Sequence, residues 1–290
     1  MQDHLISRPE ADSPGREARS GGVGLPRHGL PRASIMAALY PTLAFIVFLA
    51  IWEGAVRAFA VPTLILPPPS AIVRDIIAKH VMYWEFSVAT FVEVALGFIV
   101  AFGAGLLLGV VLFFSLMVRR TIYPLLVSSQ MVPKVAVAPV LVIWLGTGLD
   151  AKVAVAFLIA FFPIMLATMV GLAAVDPDMV KLFRSMRASP LRTFIKLRVP
   201  AALPNLFAGL KIGMIMAVVG AVVAEFVAAD RGLGYYLLYA NGQLDTTGVF
   251  GALALLTLMG VLLYFAIEIA ERLLVFNPEA SLPDPRQATM

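Results

Sequence analysis

Four stretches of this sequence carry no charged side chain: Ala33–Trp52, Val94–Val118, Val153–Val175 and Thr246–Ile267. Each reaches the roughly 20 residues that a helix needs to cross a hydrocarbon layer of about 30 Å. Inside hydrocarbon every backbone N–H and C=O must find its partner within the segment, and a helix provides that. Composition points the same way. Of 290 residues 60% are hydrophobic and 14% charged, with a mean hydropathy of +0.91, whereas a soluble domain has roughly 25% charged residues. Disorder, a nucleic-acid-coating protein and an ordinary cytosolic enzyme are excluded, and no nucleic-acid partner is expected. Cysteine is absent, which removes disulfides, thiolate metal sites and a cysteine nucleophile. Two of the three histidines, His4 and His28, fall in or near the N-terminal tail, so neither a metal site nor another cofactor is expected.

Two more apolar stretches, about 121–149 and 199–229, are interrupted by Lys134 and by Lys211 and Glu225. Counting them gives an all-α polytopic membrane protein with six transmembrane helices, near 35–60, 86–117, 121–147, 152–175, 203–228 and 246–273. Together they make a membrane domain over 33–275 in contact with lipid. Residues 1–32, rich in Arg, Pro, Gly and Ser, read as a disordered cytoplasmic tail, and 276–290 as a second cytoplasmic tail. The first apolar run starts too late and runs too long for a signal peptide. The net charge is +4. With the N-terminus inside, fifteen Lys and Arg fall in inner segments, six of them between Lys181 and Arg198. Five fall outside: Arg57, Arg74, Lys79, Lys152 and Arg231. This asymmetry places both termini in the cytoplasm.

After the first span, Leu66-Pro67-Pro68-Pro69-Ser70 cannot be helical, and Ser70 suits an N-cap. Beyond it Ile72, Val73, Ile76, Ile77 and Val81 share a face opposite Arg74, Asp75 and Lys79, which predicts an interfacial helix. It reads either as a plain connector or as a contact near an extracytoplasmic partner.

The longest inner loop is DPDMVKLFRSMRASPLRTFIKLRVPAALP, from Asp176 to Pro204. Asp176-Pro177 and Ser189-Pro190 each set a capping side chain before a proline at the first helical position. They predict two short helices joined at Arg187-Ala188-Ser189, the second halted by Pro200 and Pro204. Leu182, Phe183 and Met186 form an apolar face on the first; Leu191, Phe194, Ile195 and Leu197 form one on the second. Such a basic, amphipathic hairpin can lie on anionic headgroups or plug a soluble partner's groove.

This loop resembles the signature loop of binding-protein-dependent ABC importer permeases, aligned on Pro200. The family's Glu-Ala-Ala triplet falls on Lys181-Leu182-Phe183, its glycine on Arg187 and its Ile-x-Leu-Pro on Leu197-Arg198-Val199-Pro200. Only the proline of that strict pattern is literal, but Arg187-Ala188-Ser189 stands where the family shows Gly-Ala-Ser, and Val199 to Pro204 resembles the family's next stretch. Gln130-Met131-Val132-Pro133-Lys134-Val135 through Gly148, and Ala224-Glu225-Phe226-Val227 through Tyr235, resemble the nitrate, sulfonate and taurine branch. The resemblance covers about 40–275. It implies a type I importer permease fold, a second permease copy in a homodimer or with a close relative, a separate ABC ATPase subunit seated on the 176–200 loop, and an extracytoplasmic solute-binding protein. Phe183, Met186, Arg187, Ala188, Ser189, Pro190, Phe194 and Pro200 are then the coupling residues, in a bacterial inner membrane. No G-x-x-x-x-G-K-[ST] phosphate loop is present, so ATP hydrolysis belongs to the partner and the chain is not itself an enzyme. The implied solute is a small anion or heterocycle, nitrate-, sulfonate- or taurine-like, or pyrimidine- or riboflavin-like.

Intramembrane ionisable residues mark functional sites by default. Lys134 beside Pro133, Gly213 and Glu225 are the candidate pathway residues. Lys211 serves the pathway or snorkels to the inner surface, and Glu225 pairs with Arg231, caps a loop or meets solute. Glu93 and Glu268 read as interfacial or structural. Small residues recur at Ala101, Gly105 and Gly109 and at Gly209, Gly213, Ala217 and Ala221, as in closely packed helices; the second stripe also suits a dimer face. Gly232 to Tyr236 reads as a re-entrant or interfacial outer loop. The rival reading is an ion-coupled secondary transporter, whose inverted repeats and paired broken helices are not visible; a membrane-embedded enzyme would need a cluster of His, Asp or Ser within the spans.

Overall fold

The computed structural model describes residues 31–275; the expected tails, apart from Pro31 and Arg32, lie outside them. The chain divides into two units, Met1–Ile51 and Trp52–Met290. The first contributes most of helix α1 (Pro31–Ala58), which opens on a proline at its first position and ends within the second unit.

In the second unit the three prolines after α1 do break the helix, but Ser70 is not the N-cap of the next one. Helix α2 (Pro69–Ala78) starts two residues earlier, with Pro68 at the N-cap position and no side-chain cap. Ser70 instead donates from its backbone N–H and its hydroxyl to the Glu53 carboxylate, at 3.0 and 2.7 Å. Ile72 of α2 is buried, while Val73 and Ile77 face outward. Next come helix α3 (His80–Phe114), α4 (Leu116–Ser129), α5 (Lys134–Leu145), α6 (Leu149–Ala173), α7 (Pro177–Ser185) and α8 (Pro190–Thr193). A π-helical turn, Phe194–Arg198, leads into α9 (Val199–Ala228), then α10 (Leu233–Gly242) and α11 (Thr246–Leu274).

Among the described residues, four helical segments are long and apolar enough to span a membrane: α3, α6, the continuous rod Pro190–Ala228, and α11; a fifth span results if the bent pair α4–α5 counts as one. The expected single span 121–147 is therefore broken. Its halves meet at 98°, because Pro133 supplies no N–H and pushes Val132 out of the α region. The loop expected at 232–236 is likewise the start of a helix, α10.

Helix α6 packs between α3 and α9. Its neighbours reach it through the small-residue stripes. A Cβ added to Gly109 would lie 2.6 Å from Thr168, and one on Gly213 2.7 Å from Ile164. Both stripes thus face α6, and Gly213 is buried in the α6–α9 seam. Ala101, Ala160, Ile164, Leu210, Met214 and Ala217 fill the core between the three helices. Tyr83, Leu233, Tyr236 and Ala252 form a second cluster at the end where α3 begins and α9 finishes.

Candidate functional site

At one end of the bundle, each arm of the 176–200 hairpin is set by its cap. The Asp176 carboxylate accepts from the Asp178 N–H at 2.8 Å, and the Ser189 hydroxyl accepts from the Arg192 N–H at 3.2 Å. Pro177 and Pro190 occupy the first helical positions. Between the arms, α7 closes in a Schellman turn: Ala188 N–H donates to Phe183 C=O at 3.0 Å and Arg187 N–H to Arg184 C=O at 2.9 Å. Arg187, at the position where the resembling family has glycine, sits in the left-handed region at φ 55°. The turn geometry is kept although the residue lacks glycine's freedom.

The second arm does not stop at Pro200. Val199 N–H donates to Phe194 C=O, five residues back, and this widened turn carries the chain into α9 past Pro200. Met186 and Leu191 are 70% and 66% exposed, so the corner presents two apolar side chains beside Arg187 and Arg192. Phe194 points the other way: its ring packs on Phe114 at 5.1 Å. Arg198 lies over the Phe113 ring at 4.8 Å and donates to Leu172 C=O at 2.9 Å. These contacts fix the arm's root to the ends of α3 and α6.

At the opposite end of the bundle, Glu225 near the end of α9 is 1% exposed. Its carboxylate accepts from the Thr90 hydroxyl at 2.6 Å, the Gly234 N–H at 2.5 Å and the Tyr235 N–H at 3.2 Å. Thr90 also accepts the Leu233 N–H at 2.8 Å. Glu225 thus caps the first turn of α10, where a carboxylate meets free N–H groups and the positive helix end. Gly232 (φ 123°) lies so close that a Cβ there would strike this carboxylate. Beside it Lys152 and Glu93, 5% and 3% exposed, form an ion pair at 2.7 Å. Neither reading for Glu93 or Lys152 from sequence anticipates this pair. Each residue borders an uncharged run, and that shared edge position was the available signal. A cavity of about 890 Å³, lined by Trp84, Glu85, Glu93, Lys152, Asp230 and Arg231 among others, opens at this end.

The remaining candidates stand apart from both ends. Lys134 is half-buried at the α4–α5 bend and donates to Gln130; Pro133 beside it is exposed. Lys211 does more than snorkel: it pairs with Glu268 and Glu271 of α11, the latter at 2.5 Å, and lies 5.6 Å from the Tyr264 ring. Outside the spans, Lys79 binds Asp75 at 2.8 Å, Asp245 at 3.2 Å and the Tyr236 hydroxyl at 3.3 Å. Burial alone would lower this ammonium, and hydrogen bonds to Asp75, Tyr236 and Asp245 outweigh it and hold it well above the ordinary lysine range. No group of three or more His, Cys, Asp and Glu suited to a metal occurs among the described residues.

Residues 101–276 match the family "Binding-protein-dependent transport system inner membrane component". The chain is 37% identical to the formylaminopyrimidine transport permease protein ThiX of Halalkalibacterium halodurans, over 82% of this chain and 95% of that one. It is 35% identical to the riboflavin transport system permease protein RibX of Chloroflexus aurantiacus, over 80% and 88%. Among solved structures, the inward-facing MetNI methionine ABC transporter superposes at a TM-score of 0.60 with 22% identity, covering 68% of this chain and 98% of the matched chain; it shows a shared fold. The chain belongs to the binding-protein-dependent transport system inner membrane components, the permease subunits of ABC importers.

Proposed function

We propose that this permease forms the translocation pathway of an importer driven by a separate ABC ATPase, with an extracytoplasmic binding protein delivering the solute and a second copy of the chain completing the pathway. In this reading residues 33–275 make the membrane domain, the bent pair and α1 complete six spans, and both termini lie in the cytoplasm of a bacterial cell. The 176–200 hairpin is the coupling element. The observation that carries the reading is the exposed corner: Met186 and Leu191 stand out from a turn pinned by two backbone hydrogen bonds and two side-chain caps. Phe183, Arg187, Ala188, Ser189 and Pro190 build that corner, while Phe194 and Pro200 anchor and continue its second arm. Lys134, Pro133, Gly213 and Glu225 remain proposed pathway positions, with Gly213 and Glu225 acting through packing and capping.

The proposed solute is a small nitrogen heterocycle. Two relatives at 35% identity or more are named for formylaminopyrimidine and riboflavin transport. The two lysines inside α6 and α9 are each held by carboxylates, which leaves them poor partners for an anion. Met186→Glu tests the coupling role. The variant should insert normally in reconstituted vesicles and lose the ATP hydrolysis that the binding protein stimulates; undiminished stimulation refutes the assignment.

A further inference from the structure

The charges buried at the cavity end do not balance. Glu93 and Glu225 are both nearly sealed from solvent, and a single ammonium, Lys152, is buried with them. That ammonium is committed to Glu93 Oε1. The other oxygen, Glu93 Oε2, is buried and receives no donor. It is turned toward Glu225: Gly97 of α3 and Gly220 of α9 both seat against Ala156 of α6, so Glu93, Lys152 and Glu225, each about one turn further along toward the cavity, converge, and Thr90, one turn before Glu93, holds Glu225 Oε1 at 2.6 Å. Two carboxylates that close cannot both stay ionised, and one proton between them turns repulsion into a hydrogen bond.

The other charged groups at this end are Glu85 of α3, Lys152 of α6, and Asp230 and Arg231 of the α9–α10 turn, all on the cavity wall. Arg231 is exposed, so solvent screens it and it cannot stand in for a second buried cation. Thr90, which bridges α3 to the first turn of α10, has its hydroxyl shared between Phe86 C=O at 3.1 Å and Glu225, so it offers no proton to Glu93.

We propose that Glu93 and Glu225 form a binding site for one proton, shared between the two carboxyl groups and exchanged with water through the cavity that Glu93 and Lys152 line. The bound proton completes a chain from Lys152 through Glu93 and Glu225 to the amides of Gly234 and Tyr235, and so ties α6, α3, α9 and α10 together at this end. Separation of α9 from α3 exposes both carboxyls to water and releases the proton into the cavity; closure takes one up.

Infrared spectroscopy of the full chain in lipid nanodiscs with isotope-labelled glutamate tests the site. At neutral pH the wild type should show one protonated glutamic acid carbonyl band, and both Glu225→Gln and Glu93→Gln should lose it. Loss from either variant is the signature of sharing, since a neutral Glu225 standing alone keeps its band in Glu93→Gln. In Glu225→Gln the new carbonyl can still accept the Gly234 and Tyr235 amides while the new amide donates to Glu93, so this variant should fold and Glu225→Ala should not. A wild-type chain without the band, or a band that survives in Glu93→Gln, overturns the proposal, and the second comparison stands even if Glu225→Gln fails to insert.

Discussion

Replacing Arg187 isolates the conformational cost stored at the exposed corner of the 176–200 hairpin. At φ 55° a side chain bearing Cβ costs roughly 1–2 kcal/mol relative to the right-handed region. Glycine escapes that cost but gives back roughly 0.4–1 kcal/mol through the greater freedom of its unfolded chain. The net gain is about 1 kcal/mol, or roughly fivefold in the equilibrium for opening the turn. Arg187→Gly alone would mix this with loss of the guanidinium. The informative comparison is therefore Arg187→Gly against Arg187→Ala, both uncharged and differing in one methyl group. The reporter is the Ala188 amide, which donates to Phe183 C=O at 3.0 Å across the Schellman turn. Hydrogen exchange of that amide in nanodiscs, corrected for intrinsic rates, should be about fivefold slower in the glycine variant. Equal protection in the two variants, or better protection with alanine, refutes the reasoning.

Three further outcomes are expected. Lys152→Met leaves Glu93 buried beside Glu225 without its cation and should cost roughly 3–5 kcal/mol, read as loss of detergent-resistant folded protein; Glu93→Gln/Lys152→Met together should recover most of it. Gly213→Val drives added side-chain carbons into Ile164 and should cost roughly 1–3 kcal/mol, partly relieved by Ile164→Ala in the same thermal assay. The Lys79 tie stabilises fully below the ordinary lysine value of about 10.4 and weakens only as pH rises through the higher folded-state value. A pH series of melting temperatures should therefore show no contribution from Lys79 titration between about pH 6 and 9, so Lys79→Met should lower the curve evenly; a Lys79-dependent slope in that window refutes the assignment.

The features legible in the sequence were local ones. Uncharged runs marked α3, α6 and α11 because a long apolar helix satisfies its own backbone, and Asp176-Pro177 and Ser189-Pro190 marked the starts of α7 and α8 because capping is settled within three residues. The aromatic and ionic contacts were illegible for the opposite reason. Lys152 meets Glu93 across 59 positions, and Thr90 meets Glu225 across 135, so their pairing exists only once α3, α6 and α9 have packed. Pro200 misled because proline forbids one hydrogen bond but not a helix whose register widens by one residue to avoid that bond. Phe194 lies on the apolar face that its spacing predicts, and its ring packs on Phe114 of α3, a contact that periodicity alone cannot give.

The unbroken rod from Pro190 to Ala228 has a mechanical consequence. Its 39 residues extend about 58 Å at ~1.5 Å per residue, from the exposed corner at one membrane face to Glu225 at the other. No loop interrupts it, so under the proposed coupling role a displacement imposed at Ser189 would reach the α10 cap through continuous helix, reduced only where the rod yields. The weakest joint is the π turn at Phe194–Arg198, which is clamped by Phe114, Phe113 and Leu172. Under that role the stiffness of the clamp would set how much of a displacement at the corner reaches the far end.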